Sequence, residues 1–257
     1  MGPGSAPPES ASTGTEPSGS GTRQLTELAG TLGLELTPAQ ATALLAYVGL
    51  LRRWNRVHNL TAVDSDAEVL SHHLLDCLAI VRPLEQALGR FGPPRAPAAA
   101  VRFVDAGSGA GLPGIPLAVA RPHWQGTLID AVQKKCAFLQ QAQVELKLGN
   151  IAVRHARLET APVAGQDVIV SRAFASLRDF TTLTRAMLKP GGLWIAMKGR
   201  HPADELAQLP ADVEALETST LRVPLLNEER HLVVLRPRPC APSPSGSGGR
   251  EPGPAGA

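Results

Sequence analysis

From Val101 to Met197 the chain alternates apolar, β-rich runs with helical patterns, and a glycine loop, Asp105-Ala106-Gly107-Ser108-Gly109-Ala110-Gly111-Leu112-Pro113-Gly114, joins the first run to the first helix. Strand-like runs fall at 101–106, 126–130, 151–155, 167–172 and 192–197, with helical patterns at about 113–121, 133–148 and 176–188 between most of them. Few folds accommodate this order. A helix-length crossover returns the chain to the same end of a sheet, so the strands pair in parallel and need helices over both faces. The stretch 156–166 is too short and too rich in Pro and Gly to count as a helix. Ser176-Leu177-Arg178-Asp179 reads as an N-terminal cap, and Lys189-Pro190-Gly191-Gly192 as the break before the next strand. Two last apolar runs, at about 215–223 and 230–236, have no helical pattern between them and are expected to add an antiparallel pair at one sheet edge.

Ahead of this unit the chain is helical. Thr37-Pro38-Ala39-Gln40 is a capping box with proline at the first helical position, followed by Leu44, Tyr47, Val48 and Leu51 at i, i+3, i+4 and i+7. Ser65-Asp66-Ala67-Glu68 is a second box, followed by Leu70, His73, Leu74, Cys77, Leu78 and Val81 on one stripe. A shorter helix is expected from Leu25 to Leu32, ended by Gly33. The implied organisation is a tail without structure at 1–22, a helical region at 23–90, a Pro/Ala-rich link at 91–100, an α/β domain at 101–237 and a second tail at 238–257. No window reaches 18 consecutive apolar residues and the N-terminus lacks the order of a signal peptide, so a cytoplasmic protein without a membrane partner is expected. Cys77, Cys136 and Cys240 are far apart and form no zinc-spaced pair, which predicts reduced thiols and no metal. A formal charge of +2 selects no partner by itself.

The glycine loop carries the chemistry. Gly109-Ala110-Gly111-Leu112-Pro113-Gly114 fits the G-x-G-x-x-G pattern of dinucleotide sites, where backbone N–H groups and a helix N-terminus face a pyrophosphate. The frame around it points elsewhere. Asp105 stands at the strand end, just before three glycines spaced by two, Gly107, Gly109 and Gly111, and a carboxylate there repels a phosphate but attracts an ammonium. S-adenosylmethionine carries such an ammonium and no phosphate. Asp130, ending the next strand, suits the ribose hydroxyls of either cofactor. With the Lys189-Pro190-Gly191-Gly192 turn and the terminal hairpin, the domain resembles a class I S-adenosylmethionine-dependent methyltransferase, a Rossmann-like, mostly parallel seven-stranded sheet with a C-terminal antiparallel hairpin. An NAD(P)-dependent oxidoreductase stays as the alternative.

From about Leu25 to Arg236 the chain further resembles one family, the bacterial 16S ribosomal RNA guanine-N7 methyltransferases of type G, also called glucose-inhibited division protein B. The segments that carry the resemblance are Trp54-Asn55 with Asn59-Leu60-Thr61, His73-Leu74-Leu75-Asp76, Leu112-Pro113-Gly114-Ile115-Pro116-Leu117, Ser171-Arg172-Ala173-Phe174-Ala175-Ser176-Leu177, Lys198-Gly199 and Glu229-Arg230-His231-Leu232. The resemblance implies methyl transfer from S-adenosylmethionine to N7 of a guanine in 16S ribosomal RNA, with the small ribosomal subunit or its RNA as partner; a monomer is expected. It implies that Gly107, Gly109, Gly111 and Leu112 surround the methionine end and sulfonium, that Asp130 binds the ribose, and that Leu158 and Glu159 border the adenine. Arg172 would face the cofactor and the methyl-transfer site, while Lys198, Arg200 and His201 would meet RNA phosphates. The chain departs from the family pattern at His72, Cys77 and Lys135, where arginine, serine and arginine are usual, and in a longer link at 90–100. A non-catalytic RNA-binding assembly factor with the same fold is a second alternative.

Several of these residues also have plainer roles. His73 shares its stripe with leucines and is expected to be a core histidine bonded to a neighbour, while His72 and Asp76, four apart, are placed to pair. Arg52, Arg53 and Arg56, with His58, follow the first amphipathic helix and suit either RNA or a solvated face. Trp54 and Cys136 read as packing residues.

Overall fold

The computed structural model describes residues 19–58, 69–96, 99–172 and 174–239. The capping box at 65–68, Asn59-Leu60-Thr61, Ala173, Cys240 and most of both tails lie outside the described residues.

The helices α1 (Gly19–Thr31) and α2 (Pro38–His58) come first, and a π-helical segment, Val69–Leu75, runs directly into α3 (Asp76–Ala79) and then α4 (Val81–Phe91). The α/β part follows as β1 (Arg102–Ala106), α5 (Gly114–Ala120), β2 (Gln125–Asp130), α6 (Gln133–Glu145), β3 (Ile151–His155) and β4 (Gln166–Ser171). It closes with α7 (Leu177–Thr184), β5 (Leu188–Lys198), α8 (Ala203–Ala207), β6 (Val213–Leu221) and β7 (Arg230–Pro237). Seven strands form one sheet in the order β3-β2-β1-β4-β5-β7-β6. The first five pair in parallel and β7 runs antiparallel to both β5 and β6. The parallel body and the edge hairpin expected from the sequence are therefore both present, and the third crossover holds only a 3-10 turn, Leu158–Thr160.

Both faces of the sheet are covered because its central strands are apolar on both sides. Phe103, Leu128, Val170 and Ile195 pack on one face with Leu44, Tyr47 and Leu51 of α2, Leu84 of α4 and Ile115 of α5. Val104, Ile129, Ile169 and Trp194 pack on the other with Leu177 and Phe180 of α7. The N-terminal helices thus share one core with the sheet. The Thr37 box forms as expected, with Gln40 N–H donating to Thr37 Oγ1 at 3.2 Å and Thr37 N–H to Gln40 Oε1 at 2.9 Å. Gln40 also donates from Nε2 to the carbonyls of Val119 and Ala120, so the start of α2 satisfies the open end of α5. The Ser176 cap forms too, accepting from Asp179 N–H at 3.0 Å.

Four differences stand out against the sequence expectations. Helix α1 begins at Gly19, so 19–22 belong to the fold and not to a tail; a Cβ on Gly21 would stand 3.5 Å from Leu45 Cδ1, a close approach to α2. Arg238, expected in the second tail, is tied to the sheet by its N–H donating to Asp212 O at 2.8 Å. Strand β5 starts at Leu188 and carries Lys189-Pro190-Gly191-Gly192 as an irregularity inside it, with the register shifting between Gln166 and Val168 of β4. The second amphipathic stripe opens as a π-helical segment, which widens the turn and displaces residues four apart from a common face.

Candidate functional site

The site lies at the C-terminal ends of β1, β2 and β4, where the glycine loop leaves the sheet. Gly107, Gly109 and Gly111 all have left-handed backbone, with φ of +70°, +58° and +85°, a conformation that side chains with a Cβ rarely adopt. Gly111 is also needed for packing, since a Cβ there would stand 2.5 Å from Ile115 Cδ1. Gly107 is different: a Cβ there would meet nothing within 4 Å. At Gly109 the nearest atom would be Gly107 O at 3.9 Å. The loop therefore presents bare backbone to open space at these two glycines.

Its N–H groups are largely spent inside the fold. Ser108 N–H donates to Ile129 O, those of Gly111 and Leu112 to Ser108 O, and that of Gly109 to Asp130 Oδ2 at 2.9 Å. The N-terminus of α5 is likewise taken, because Gly114 N–H donates to Asp105 Oδ2 at 2.9 Å. The helix N-terminus that a dinucleotide site turns to its pyrophosphate is here closed by the protein's own carboxylate. A pyrophosphate would find the donors of a dinucleotide site already used, above a buried carboxylate, which disfavours the oxidoreductase alternative. Tyr47 secures the loop from α2, its hydroxyl donating to Ala110 O at 2.6 Å, and Leu112 is buried in the core beneath.

Asp105 is only 1% exposed, and its Oδ1 has no hydrogen-bond partner. Burial pushes its pKa from 3.8 up to about 7, against the pull of the Gly114 N–H and the Arg172 charge. Asp130 accepts from Gly109 N–H through Oδ2 and from Val132 N–H through Oδ1, with Lys135 Nζ 3.9 Å from Oδ2. Leu158 and Glu159 occupy the 3-10 turn after β3, Leu158 half-buried and Glu159 exposed.

Arg172 follows directly on β4, whose last residue, Ser171, donates from Oγ to Ala106 O, so it stands beside the start of the glycine loop. Its guanidinium reaches the π-helical segment, donating from Nη1 to His72 O at 3.0 Å and meeting His73 Nδ1 at 3.3 Å. Asp76 Oδ2 lies 3.5 Å from the same Nη1. His73 is thus the buried, bonded histidine expected. The expected His72–Asp76 pair does not form in this geometry: His72 Nε2 faces Glu228 Oε1 at 3.4 Å, while Asp76 lies between Arg172 and Arg230. The link from Arg230 and Glu228 to Arg172 escaped the sequence reading. The available signal was an aspartate inside the apolar run Leu74-Leu75-Asp76-Cys77-Leu78, which needs a charged partner when buried.

The cations proposed for RNA do not form one group. Lys198 is 12% exposed, with Nζ donating to Glu205 Oε2 at 2.7 Å and to Phe174 O at 3.2 Å. Glu205 also accepts from Leu177 N–H, so Lys198 ties α8 to the start of α7 and is not free for a phosphate. Arg200 and His201 beyond it are exposed. Arg52, Arg53 and Arg56 are exposed on α2, and Arg53 pairs with Glu145 of α6 at 3.1 Å. Trp54 packs edge-on against Phe138 at 5.6 Å and donates from Nε1 to Gln141, the packing role expected. Cys77 and Cys136 are buried free thiols. Among the described residues no group of three or more His, Cys, Asp or Glu is arranged to hold a metal, and no helix is long and apolar enough to cross a membrane.

Comparison with known proteins bears on this arrangement directly. The family described as rRNA small subunit methyltransferase G matches residues 40–233. The chain belongs to the rRNA small subunit methyltransferase G family. It is 48% identical over 212 residues to the Ribosomal RNA small subunit methyltransferase G of Leptothrix cholodnii, covering 82% of this chain and 94% of that protein. The proteins of the same name from Acidovorax sp. and Burkholderia thailandensis are 49% and 50% identical over 214 residues, covering 83% and 81% of this chain and 94% and 88% of theirs. As a member of this methyltransferase family, the chain has the class I sheet order, with the glycine loop leaving its first strand. The match spans the π-helical segment, Arg172 and Arg230, so the whole charged cluster lies inside the methyltransferase G region.

Proposed function

We propose that this chain transfers a methyl group from S-adenosylmethionine to N7 of a guanine in 16S ribosomal RNA. The observation that carries the cofactor is the bare, left-handed backbone at Gly107 and Gly109, which faces open space and is bordered by the Asp130 carboxylate. When bound, S-adenosylmethionine supplies an electrophilic methyl group on a sulfonium. On this reading Gly107, Gly109 and Gly111 let the backbone approach the methionine end, and Leu112 supports the loop from the core. Asp105, 1% exposed and bonded to Gly114 N–H, supports the loop from beneath and is not the open partner for an ammonium that the sequence suggested. Asp130 accepts from the ribose hydroxyls, and Leu158 and Glu159 border the adenine.

Guanine N7 suits the remaining residues, because it already holds a lone pair and needs no proton removed before it attacks. His73, which touches Arg172, is not free to serve as a general base, because its Nδ1 is committed to the guanidinium. Rate then comes chiefly from holding N7 in line with the methyl group, an effect that can supply on the order of 7–11 kcal/mol. Arg172 is the residue we assign to orienting the target at the transfer site. In A-form RNA the N7 edge lies in a groove too narrow to enter, so the target guanine sits in a loop or is splayed out. Arg52, Arg53, Arg56, Arg200 and His201 are the exposed groups we assign to the RNA backbone.

The test is incubation with labelled S-adenosylmethionine and 16S RNA, free and in small subunits, with N7-methylguanine mapped by chemical strand cleavage. The expected result is one modified guanine N7. Label on another base nitrogen overturns the target while leaving the donor intact.

A further inference from the structure

Asp76 is 3% exposed, and burial pushes its carboxyl above the ordinary range while two guanidinium charges pull it back. Oδ2 faces Arg172 Nη1 at 3.5 Å and Oδ1 faces Arg230 Nε at 3.4 Å. Arg230 pairs through Nη2 with Glu228 Oε2 at 3.0 Å, and Glu228 Oε1 faces His72, whose carbonyl accepts from Arg172. The charges close into a ring that joins the end of β4, the π-helical segment with α3, and the start of β7.

His73 acts on the same guanidinium. Its Nδ1 lies 3.3 Å from both Nη1 and Nη2 of Arg172. A ring nitrogen that meets two guanidinium N–H groups accepts, so the ring proton sits on Nε2. Burial and the Arg172 charge lower the His73 pKa to about 4, which keeps the ring neutral across the neutral range. His72 O, His73 Nδ1 and Asp76 Oδ2 therefore converge on one side chain from adjoining turns. Arginine is long and rich in rotamers, and three acceptors from one direction select a single one.

We infer that Asp76 and His73 are positioning residues that act through Arg172, fixing its guanidinium at the C-terminal end of β4, and that Arg230 locks Asp76 from the far side. The cleft of about 300 Å³ that these four residues line with Met197 and Gly199 opens on the same edge of the sheet. The inference rests on the assignment of Arg172 to the transfer site made above.

A double-mutant cycle on the full-length protein tests it, read as single-turnover methyl transfer to small-subunit RNA, with S-adenosylhomocysteine affinity and Tm measured alongside. Asp76→Asn is expected to slow transfer on the order of 100-fold, the loss that a displacement of about 1 Å brings. In an Arg172→Ala background the same substitution is expected to change nothing further, because no guanidinium is left to position. Equal fold losses in both backgrounds overturn the inference. Transfer by Arg172→Ala at the wild-type rate overturns the assignment of Arg172 itself, an outcome distinguishable because there the single variant is fast. His73 supplies a second arm that stands if Asp76→Asn does not fold. His73→Asn keeps an acceptor near Nδ1 and is expected to stay within a few-fold of wild type with the same pH profile from 6 to 9, whereas His73→Leu falls with Asp76→Asn. Equal loss in both His73 variants, or an ionisation missing from the profile of His73→Asn, overturns positioning in favour of proton transfer.

Discussion

Gly107→Ala places a single methyl group where the structure has no atom within 4 Å, at a φ of +70°. Gly33, in the turn that ends α1, is a matched control: its φ is +68° and its surroundings are equally open. Gly33 N–H donates to Gly30 O at 2.9 Å and Leu34 N–H to Ala29 O at 3.0 Å, an ordinary helix ending. A side chain in left-handed backbone costs about 1–2 kcal/mol, and the stiffer unfolded chain of an alanine variant returns about 0.4–1 kcal/mol of that. Both variants should therefore lose about 1 kcal/mol of stability, a fall in Tm of roughly 2–4 °C for a chain of this size. That loss leaves almost every molecule folded, so Gly33→Ala should bind S-adenosylhomocysteine as wild type does. In Gly107→Ala the new methyl stands in the space the ligand is proposed to use. Overpacking costs of about 1–3 kcal/mol then convert to roughly 5- to 150-fold weaker binding. Calorimetric titration of the three proteins, with Tm recorded in parallel, decides the matter. Unchanged affinity in Gly107→Ala, or an equal loss in Gly33→Ala, refutes the assignment of that open backbone to the cofactor.

Asp105 gives a pH signature: burial raises its pKa from 3.8 to about 7, so the unfolded chain releases this proton near pH 4 and the folded chain only near 7. The stability it supports is full below about pH 4 and falls as pH rises to 7. The Tm of Asp105→Asn minus that of wild type should increase between pH 5 and pH 8, and a constant difference would falsify the burial argument. Lys198→Ala breaks a charged bond that is mostly enclosed and should cost about 1.5–3 kcal/mol in denaturant melts. Its KM for RNA should stay near wild type; a raised KM without lost stability would return Lys198 to the RNA face. The Arg53–Glu145 pair, with side chains 56% and 40% exposed, is worth about 0–1 kcal/mol. Arg53→Ala/Arg56→Ala should keep the wild-type Tm to within about 2 °C while lowering the slope of log K against log salt for RNA by up to about 2. An unchanged slope removes these arginines from the interface.

The strand pattern, the parallel body, the edge hairpin and the two helix caps were legible in the sequence because each depends on local order: apolar periodicity, capping residues and glycines at strand ends act over a few residues. The frame Asp105, Gly107, Gly109, Gly111 was legible for the same reason, since three left-handed glycines define a loop whatever surrounds them. Tertiary structure alone decided what those groups face. Asp105 binds the N-terminus of α5 instead of standing open, Lys198 turns to Glu205 of a helix too short to show in the sequence, and His72 looks to Glu228 instead of Asp76. Only His72 and Glu228, 156 residues apart, are brought together from distant parts of the chain; the other two pairs, 9 and 7 residues apart, meet because of how the loops after β1 and β5 turn, which no periodicity encodes. Charge placed by sequence spacing follows an ideal helix, but the buried carboxylate of Asp76 takes its partners from β4 and β7 across a π-helical turn. A buried charge answers to the field of the whole fold, which no local pattern contains.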